Sequence, residues 1–239
     1  MARAFVLVHG MSHGAWCWDL IRERLLRRGH HAVAVDLPGH GRRAADWRQA
    51  SLTSYARAVA DAIIREGIHD AVLVGHSMAG AVIPKAAELV PTRLAHLVFL
   101  AAVVLPSGSS LLETQLSPAA RALFTGGGKA AGGMVRYAAS FARARWMGDL
   151  PPGDERIAAA LVQLTPEPLR PWRERVDLTS FYASSIPRTY VRCLRDEAVP
   201  PARAADYAKR LGVTPIDLDS DHSPMLSHPD ELVRLLEKV

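Results

Sequence analysis

The sequence predicts an α/β fold in which a mostly parallel sheet of about six strands is covered by helices on both faces. Short apolar or β-branched runs alternate along the chain with segments whose apolar residues recur at helical spacing. One such run, residues 71–74, reads Ala-Val-Leu-Val without polar alternation, as a strand buried on both faces requires. A chain of 239 residues, 49% of them hydrophobic, is long enough to bury such a core.

Each element is predicted from its own pattern. Apolar runs predict strands at Ala4–Val8, Ala32–Asp36, Ala71–Val74, Leu94–Val104, Thr189–Leu194 and Val213–Leu218. Helical spacing places two sets of apolar residues on helix faces that pack on the sheet. These sets are Trp18, Ile21 and Leu25, and Leu52, Tyr55, Val59 and Ile63.

The alternation stops between Ser107 and Ser185. This stretch is rich in Gly and Pro, and its apolar residues keep helical spacing without a strand-like run. We therefore predict a helical cap at residues 107–185, inserted into a core formed by residues 1–106 and 186–239. Its glycine-rich sequence GGGKAAGG, at 126–133, lacks the spacing of a phosphate-binding loop and is interpreted as a flexible turn.

The charge pattern argues against a nucleic-acid partner. Lys and Arg exceed Asp and Glu by 29 − 24 = 5, but the basic residues are scattered among acids without a run of five or more. The longest apolar run, Leu97 to Pro106, is far below the ~20 residues of a bilayer span, so no membrane segment is expected. A homodimer is left open, because the sequence carries no signal of oligomeric state.

Cysteine use and the start of the chain suggest a reduced compartment. Cys17 and Cys193 form neither a disulfide framework nor a metal-binding spacing, and the sequence has no HExxH motif, so no metal site is predicted. The first three residues lead directly into the first predicted strand, which leaves no room for a signal peptide. A cytoplasmic location is therefore expected.

The strongest chemical signal is Gly75-His76-Ser77-Met78-Ala79-Gly80, between the strand at 71–74 and a helix-like segment at Ala81–Val90. A serine at a strand-to-helix turn is held in a strained elbow that exposes its hydroxyl, while small neighbours avoid clashes. The usual pattern has Gly two residues after the serine, whereas this chain has Ala79. Because alanine is also small, Ser77 is predicted to be a nucleophile.

A serine hydroxyl needs a nearby base, and histidine, with an ordinary pKa of about 6.5, is the usual one. Among ten histidines, His222 lies in a polar loop after the last predicted strand and is predicted to be this base. His9 and His13 follow the first strand and are interpreted as loop-fixing residues. His76, inside the elbow, is interpreted as lining the pocket beside the nucleophile.

A carboxylate must orient the imidazole and stabilise its cation. Asp196 follows the strand at 189–194, so it is predicted to lie at the same sheet edge as the serine and the histidine. Its neighbour Glu197 is the nearest rival. Asp36 leads residues 37–41, which are predicted to form a loop, and Asp219 and Asp221 are predicted to be solvated.

If the serine attacks a carbonyl group, as in ester hydrolysis, the site also needs N–H donors aimed at the oxyanion of the tetrahedral intermediate. Each such donor contributes about 3 kcal/mol. The residue after the nucleophile, Met78, is predicted to supply one main-chain N–H. The loop after the first strand, residues 9–14, is predicted to supply the second through Met11. Both residues carry flexible apolar side chains, which predicts a pocket that favours apolar groups.

Five stretches carry a family resemblance. They are residues 5–10, 13–18, 75–80, 193–200 and 221–226, which read FVLVHG, HGAWCW, GHSMAG, CLRDEAVP and DHSPML. Together they resemble the plant methylesterase and hydroxynitrile lyase family and its bacterial esterase relatives, within the α/β-hydrolase superfamily. The resemblance implies an α/β-hydrolase core with a helical cap and no cofactor. It also implies a triad of Ser77, Asp196 and His222, with Met11 and Met78 at the oxyanion positions.

The resembled family contains both ester hydrolases and cyanohydrin-cleaving lyases. Its lyases carry Thr after the first-strand histidine and Lys after the catalytic histidine, where the lysine helps to hold cyanide. This chain has Gly10 and Ser223 there, which favours ester hydrolysis through an acyl-enzyme. A lyase or rearrangement enzyme using the same triad is the alternative, and a ligand receptor without catalysis is the weakest hypothesis because the triad is intact.

The expected substrate is a small carboxylic ester with an apolar group. Five residues are assigned to its pocket, namely His76, Gly10, Ser12, Trp146 and Phe124. Three further cap aromatics, Tyr137, Phe141 and Trp172, line either the pocket or the interior of the cap. Four cap arginines, at positions 121, 136, 143 and 145, are expected to form a solvated face.

Overall fold

A computed structural model describes residues 2–117 and 133–239. Its main sheet has six strands: β1 (Ala4–Val8), β2 (His31–Val35), β3 (Ala71–His76), β4 (Leu94–Leu100), β7 (Arg188–Cys193) and β8 (Ile216–Leu218). They are all parallel, in the order β2-β1-β3-β4-β7-β8. The sheet thus confirms the predicted fold class, and its carboxyl edge brings together loops that are distant in the chain.

Two predicted strands are longer than the observed ones. The fourth ends at Leu100 because Ala101 has φ 45°, a left-handed conformation that breaks the strand. The residues after it stay apolar since they pack beneath the serine elbow, where the Val103 N–H donates to the Ser77 carbonyl at 3.0 Å. The last strand begins at Ile216, directly after Pro215, which has no N–H to donate to the ladder.

Helices cover both faces of this sheet. Those in the core are α1 (Asp19–Arg27), α2 (Leu52–Arg65), α3 (Ile83–Leu89), α9 (Pro201–Leu211), α10 (Pro224–Ser227) and α11 (Pro229–Leu236). Short 3-10 helices lie at Ala15–Trp18, Gly41–Gln49, Ser77–Ala81 and Pro91–Arg93. The hydroxyl of Ser51 caps α2 by accepting the Ser54 N–H at 2.9 Å.

The core consists of two apolar layers, one on each face of the sheet. Alternate residues of β1 point into different layers, with Val6 beneath α2 and Phe5 beneath α1. The helix faces predicted from spacing are buried as expected, since Tyr55 and Ile21 are both fully inaccessible. Burying a side chain of this size contributes roughly 1.5–3 kcal/mol.

The cap segment, residues 107–185, leaves the sheet after β4 and returns at β7, the adjacent strand. Its helices within 107–117 and 133–185 are α4 (Leu111–Gln115), α5 (Ala139–Trp146), α6 (Glu155–Gln163), α7 (Arg170–Arg173) and α8 (Thr179–Ala183). It also holds a two-stranded antiparallel ladder, β5 (Met134–Val135) with β6 (Glu167–Pro168), which the sequence analysis did not predict. Two-residue strands are too short to show a period of two.

The glycine-rich stretch predicted to be a flexible turn lies outside the described residues, except for Gly133. Within the two described ranges, no helix has the length and apolar character needed to cross a bilayer.

Candidate active site

Ser77 lies at the sharp turn between β3 and the following 3-10 helix. Its φ of 54° is in the left-handed region, which costs a residue with a Cβ about 1–3 kcal/mol. Tight packing leaves no room for larger neighbours, because a Cβ added at Gly80 would lie 2.1 Å from the Val103 carbonyl oxygen. The close approach falls at Gly80 and not at position 79, so the turn accommodates Ala79. Ser77 stays partly exposed while the residues on either side of it are buried.

The structure brings the predicted nucleophile, base and acid together. The Ser77 Oγ lies 2.9 Å from His222 Nε2, and His222 Nδ1 lies 2.8 Å from Asp196 Oδ2. His222 and Asp196 are almost completely buried. The second carboxylate oxygen of Asp196 accepts the N–H groups of Ala198 and Val199, at 2.7 and 2.8 Å. These bonds hold the carboxylate so that its other oxygen faces the imidazole.

The rival acids occupy different surroundings. The Glu197 side chain is 73% exposed and lies 3.9 Å from an Arg145 nitrogen. Asp36 accepts the Ala15 N–H at 2.7 Å and the Arg42 Nε at 3.0 Å. Asp36 therefore connects the loop after β1 to the loop after β2. Neither of these two hydrogen bonds involves the imidazole of His222.

One of the two aspartates predicted to be solvated is buried. The Asp219 side chain is 74% exposed, but Asp221 is only 3% exposed, so the prediction is wrong for Asp221. Its carboxylate accepts the Asp149 N–H, the Ser223 N–H and the Ser227 hydroxyl, at 3.1, 3.1 and 2.8 Å. Burial raises the pKa of Asp221. Main-chain and hydroxyl donors replace the water that the sequence pattern implied.

Asp149, which lies in the cap segment, binds Asp221 a second time. Its Oδ2 accepts the Asp221 N–H at 2.7 Å, and Arg195 binds its carboxylate through two nitrogens, each at 2.9 Å. Burial acts to raise the pKa of Asp149, but the hydrogen bonds from Arg195 and the Asp221 N–H outweigh it and lower the pKa. The loop that carries His222 is thus fastened to the cap segment.

Three buried histidines surround the triad. His9 donates from Nδ1 to the Gly10 carbonyl at 2.8 Å and accepts the Leu37 N–H at 3.1 Å, and so joins two loops. His13 donates from Nδ1 to the Met11 carbonyl at 2.7 Å. Burial lowers the pKa of His13 to about 4, and it places the pKa of His9 well below its ordinary value.

His76 has a different place from the one predicted. It is 1% exposed and donates from Nε2 to the His222 carbonyl at 2.8 Å, with the two ring centres 4.7 Å apart. Burial keeps its pKa well below the ordinary value, so the ring is neutral at pH 7. His76 therefore supports the main chain of the His222 loop instead of presenting a surface to the pocket.

The predicted oxyanion residues flank Ser77. A Cβ added at Gly10 would lie 2.8 Å from the Ser77 Cβ, so only glycine allows this loop to approach the nucleophile. Met11 follows in the same loop, and Met78 follows Ser77 at the start of the 3-10 helix. Both main-chain N–H groups therefore belong to segments that adjoin the serine.

Two of the predicted pocket residues, Ser12 and Trp146, lie where the cap segment meets the loop after β1. Trp146 is buried beside His13, Tyr137 and Phe141, with ring-centre distances of 5.2, 5.7 and 6.0 Å. A small cavity of about 50 Å³ adjoins it, lined by Ser12, Arg136, Tyr137, Ala139, Trp146, Leu161, Leu164 and Thr165. Phe124 and Arg121 lie outside the described residues.

The remaining cap candidates divide between interior and surface. Trp172 is buried inside the cap segment, and Phe141 is 42% exposed. Arg143 is bonded to the Met147 and Leu150 carbonyls instead of being solvated as predicted, whereas Arg136 and Arg145 are exposed. A larger cavity of about 790 Å³ lies at the β2 edge, and no member of the triad lines it.

Sequence reasoning missed two carboxylates, the fully buried Glu167 and the partly buried Asp149. Glu167 is fully inaccessible and bonds to Ser12 and His40, which are 155 and 127 residues away in the chain. An acidic residue in an irregular Pro-rich stretch is typical of a solvated face. No local pattern could have identified its partners.

Comparisons with known proteins identify the family of this chain. The sequence model of the alpha/beta hydrolase family matches residues 5–235. Methylesterase 7 of Arabidopsis thaliana is 29% identical over 255 residues, which are 99% of this chain and 96% of that protein. A longer Arabidopsis thaliana relative that carries a chloroplastic methylesterase name, number 13, is 30% identical over 250 residues. The match covers 99% of this chain but only 56% of the length of that relative.

Solved structures show the same fold. An extracellular alpha/beta-hydrolase from a Paenibacillus species, described as a structural and functional homologue of tobacco salicylic acid binding protein 2, is 27% identical. It superposes with a TM-score of 0.88 over 99% of this chain and 98% of its own. The Arabidopsis methylesterase MES16, 24% identical, covers 99% and 98% with a TM-score of 0.81 and shows the fold alone. These relatives confirm the resemblance seen in the motifs, and the chain belongs to the alpha/beta hydrolase family.

Proposed function

We propose that this protein is an esterase that hydrolyses a small carboxylic ester, with Ser77 as nucleophile, His222 as base and Asp196 as the orienting acid. The observation that carries the proposal is the unbroken hydrogen-bonded chain from the Ser77 hydroxyl through His222 to Asp196, with distances of 2.9 and 2.8 Å. The methylesterase names of the relatives support the same reaction class.

In the proposed reaction, the Ser77 Oγ attacks the ester carbonyl carbon while His222 Nε2 takes the hydroxyl proton. The N–H groups of Met11 and Met78 would stabilise the oxyanion that forms, and the Asp196 carboxylate would stabilise the imidazolium. Collapse of the intermediate expels the alcohol, which receives the proton from His222, and leaves an acyl group on Ser77. A water molecule activated by His222 then releases the carboxylic acid.

Cyanohydrin cleavage fits these residues less well. Position 223, where the resembled lyases carry lysine, is a fully buried serine, and Gly10 has no side chain to offer. Departing cyanide would therefore lack a cationic partner at this position. A receptor that only binds a ligand has no need of a strained, partly exposed serine bonded to a histidine.

Replacing the nucleophile tests the proposal. We expect Ser77→Ala to lower kcat at least ~10⁴-fold on short-chain p-nitrophenyl esters and on aryl methyl esters, because the acyl-enzyme can no longer form. Ser184→Ala is the matched control and keeps wild-type activity, since among the described residues the Ser184 hydroxyl bonds to the Phe181 carbonyl and to Arg188, away from the triad. Varying the acyl and alcohol parts of the ester separately defines the substrate class.

Each other outcome points to a different function. Turnover retained by Ser77→Ala would contradict the proposal. Labelling of Ser77 by a fluorophosphonate without turnover of any ester would favour the lyase or rearrangement alternative. Stoichiometric ligand binding without either result would favour a receptor.

A further inference from the structure

A fully buried carboxylate connects the cap segment to the loop beside the nucleophile. Glu167, in β6, accepts hydrogen bonds from the Ser12 N–H at 2.7 Å, from His40 Nε2 at 2.9 Å and from Trp172 Nε1 at 3.0 Å. Two of these donors belong to the core, and Trp172 belongs to the cap segment. A carboxylate with this many donors is held in one orientation.

The hydrogen bond from the Ser12 N–H to Glu167 is one of two that hold Ser12, and we call the two together the clamp. The Ser12 carbonyl accepts the Thr165 N–H at 2.9 Å, so both main-chain polar groups of Ser12 are bonded to the stretch 165–167 of the cap segment. Ser12 also has φ 60°, a strained conformation that needs support from its surroundings. The peptide between Met11 and Ser12 is therefore held from the cap side, next to the N–H proposed to face the oxyanion.

Steric contact fixes the same stretch against a second core loop. A Cβ added at Gly39 would lie 2.8 Å from the Pro168 Cγ, which shows how closely β6 packs on the loop that carries His40. His40 is fully buried, and its Nδ1 lies 3.3 Å from the Pro38 carbonyl oxygen. The cap segment thus contacts two loops of the core through Glu167 and its neighbours.

The charge of Glu167 needs compensation at this position. An uncompensated carboxylate bonded to the oxyanion loop, residues 9–14, would repel the negative charge that develops on the substrate. Hydrogen-bond donors face this charge, since His40 Nε2, the Ser12 N–H and Trp172 Nε1 all lie within 3.0 Å of the carboxylate oxygens. The carboxylate therefore provides a rigid acceptor for the Ser12 N–H, and its charge is met by donors on every bonded side.

The geometry points to Glu167 as a positioning residue that holds the oxyanion loop so that the Met11 N–H faces the developing oxyanion. This inference rests on the esterase proposed above. Glu167 does not touch the substrate in this arrangement. It acts through Ser12, and its effect belongs to the transition state, in which the oxyanion exists, more than to ground-state binding.

The test is Glu167→Gln in the full chain. Glutamine has similar volume but removes the charge and turns one acceptor into a donor facing N–H groups. We expect kcat to fall ~10–100-fold with KM within about twofold of wild type, since a misplaced donor weakens the transition state. Affinity for an aryl trifluoromethyl ketone, which forms a tetrahedral adduct on the serine, should fall by the same factor as kcat/KM. Rates are expressed per serine that a fluorophosphonate titrates.

Glu174→Gln is the matched control. Glu174 is also a cap carboxylate that accepts a core N–H, from Leu52 at 2.7 Å, but that contact lies at the start of α2, away from the oxyanion loop. We expect this variant to keep kcat and ketone affinity within about threefold. Equal losses in the two variants, or unchanged kcat/KM and ketone affinity in Glu167→Gln, would overturn the inference.

A second variant and a second measurement test the inference if Glu167→Gln does not fold or if the wild-type protein has no esterase activity. If Glu167→Gln does not fold, Glu167→Asp keeps the charge but withdraws the carboxylate by one methylene. A smaller loss of kcat, about three- to tenfold at unchanged KM, is then expected, and wild-type kcat contradicts the inference. If the wild-type protein turns over no ester, the esterase proposal fails by itself. The rate at which a fluorophosphonate reacts with Ser77 then tests Glu167, because phosphonylation of the serine, with loss of fluoride, develops negative charge on an oxygen that uses the same donors.

Discussion

Asp196 and Glu197 are neighbours in the chain, yet they meet opposite surroundings. Asp196 is buried with both oxygens bonded, whereas the Glu197 side chain is 73% exposed. The difference arises because the turn after β7 directs one carboxylate toward the sheet edge, where His222 lies, and the next one toward solvent. Residue type alone does not distinguish them.

Asp196→Asn tests this assignment at the scale of one residue. The amide keeps an oxygen for the Ala198 and Val199 N–H groups but presents an NH₂ group to His222 Nδ1, which disfavours the tautomer able to accept the Ser77 proton. We expect kcat on the best ester to fall roughly 10⁴-fold with little change in KM. Steady-state kinetics measure it, with Glu197→Gln as the control. A larger loss in Glu197→Gln would reverse the two roles.

At the scale of elements, the loop between β8 and α10 depends on the cap segment. Asp221 and Asp149 each donate the main-chain N–H to the carboxylate of the other, so the residue before His222 is fastened from outside the sheet. The three histidines His9, His13 and His76 fix the facing loops in a similar way, through main-chain carbonyls. The geometry of the proposed triad thus depends on contacts between loops.

Asp221→Ala should destabilise the protein by roughly 3 kcal/mol. It leaves the Asp149 N–H, the Ser223 N–H and the Ser227 hydroxyl without their acceptor, and each unsatisfied buried donor costs about 1–3 kcal/mol. Asp219→Ala is the control and should cost under ~1 kcal/mol, because its ion pair with Arg195 is largely solvated. Urea unfolding measures both, and similar losses would contradict the structural distinction between the two aspartates.

At the scale of the whole molecule, buried neutral histidines couple stability to pH. The pKa of His13 is lowered by burial to about 4, and burial also lowers the pKa values of His9 and His76. Between pH 6.5 and 4 the unfolded chain binds protons at these sites while the folded protein does not, so stability is present above pH 6.5 and is lost as the pH falls. The raised pKa of Asp221 opposes this trend, because the folded protein then binds a proton more readily than the unfolded chain does. Its single effect is smaller than the combined effect of the three histidines.

We therefore expect the free energy of unfolding to decrease on acidification from pH 7 to 4. The slope should approach about 1.4 kcal/mol per pH unit for each histidine, and His13 alone contributes about 3 kcal/mol over its window. Urea titrations at several pH values measure the slope. His13→Gln should reduce it, while His69→Gln, at an exposed site, should leave it unchanged. A flat profile in wild-type protein would show that the unfolded and folded states bind equal numbers of protons.

The sequence by itself determined the elements of the core and the residues at its carboxyl edge. Apolar runs predicted the six strands, with ends that differ by one or two residues in β2, β3 and β7 and by more only where Ala101 and Pro215 interrupt the ladder. The elbow motif and the order of the chain singled out Ser77, Asp196 and His222 before their distances were known. These properties can be predicted because local periodicity and turn chemistry depend on residues that are close together in the chain.

Only the tertiary structure decided which polar groups are buried. Asp221 and Glu167 look like surface acids in the sequence, and His76 looks like a pocket residue, but each is enclosed by segments far away in the chain. Solvation of a side chain depends on what packs over it, and no local pattern records that. The clamp on the oxyanion loop therefore becomes visible only when the cap segment is placed on the sheet.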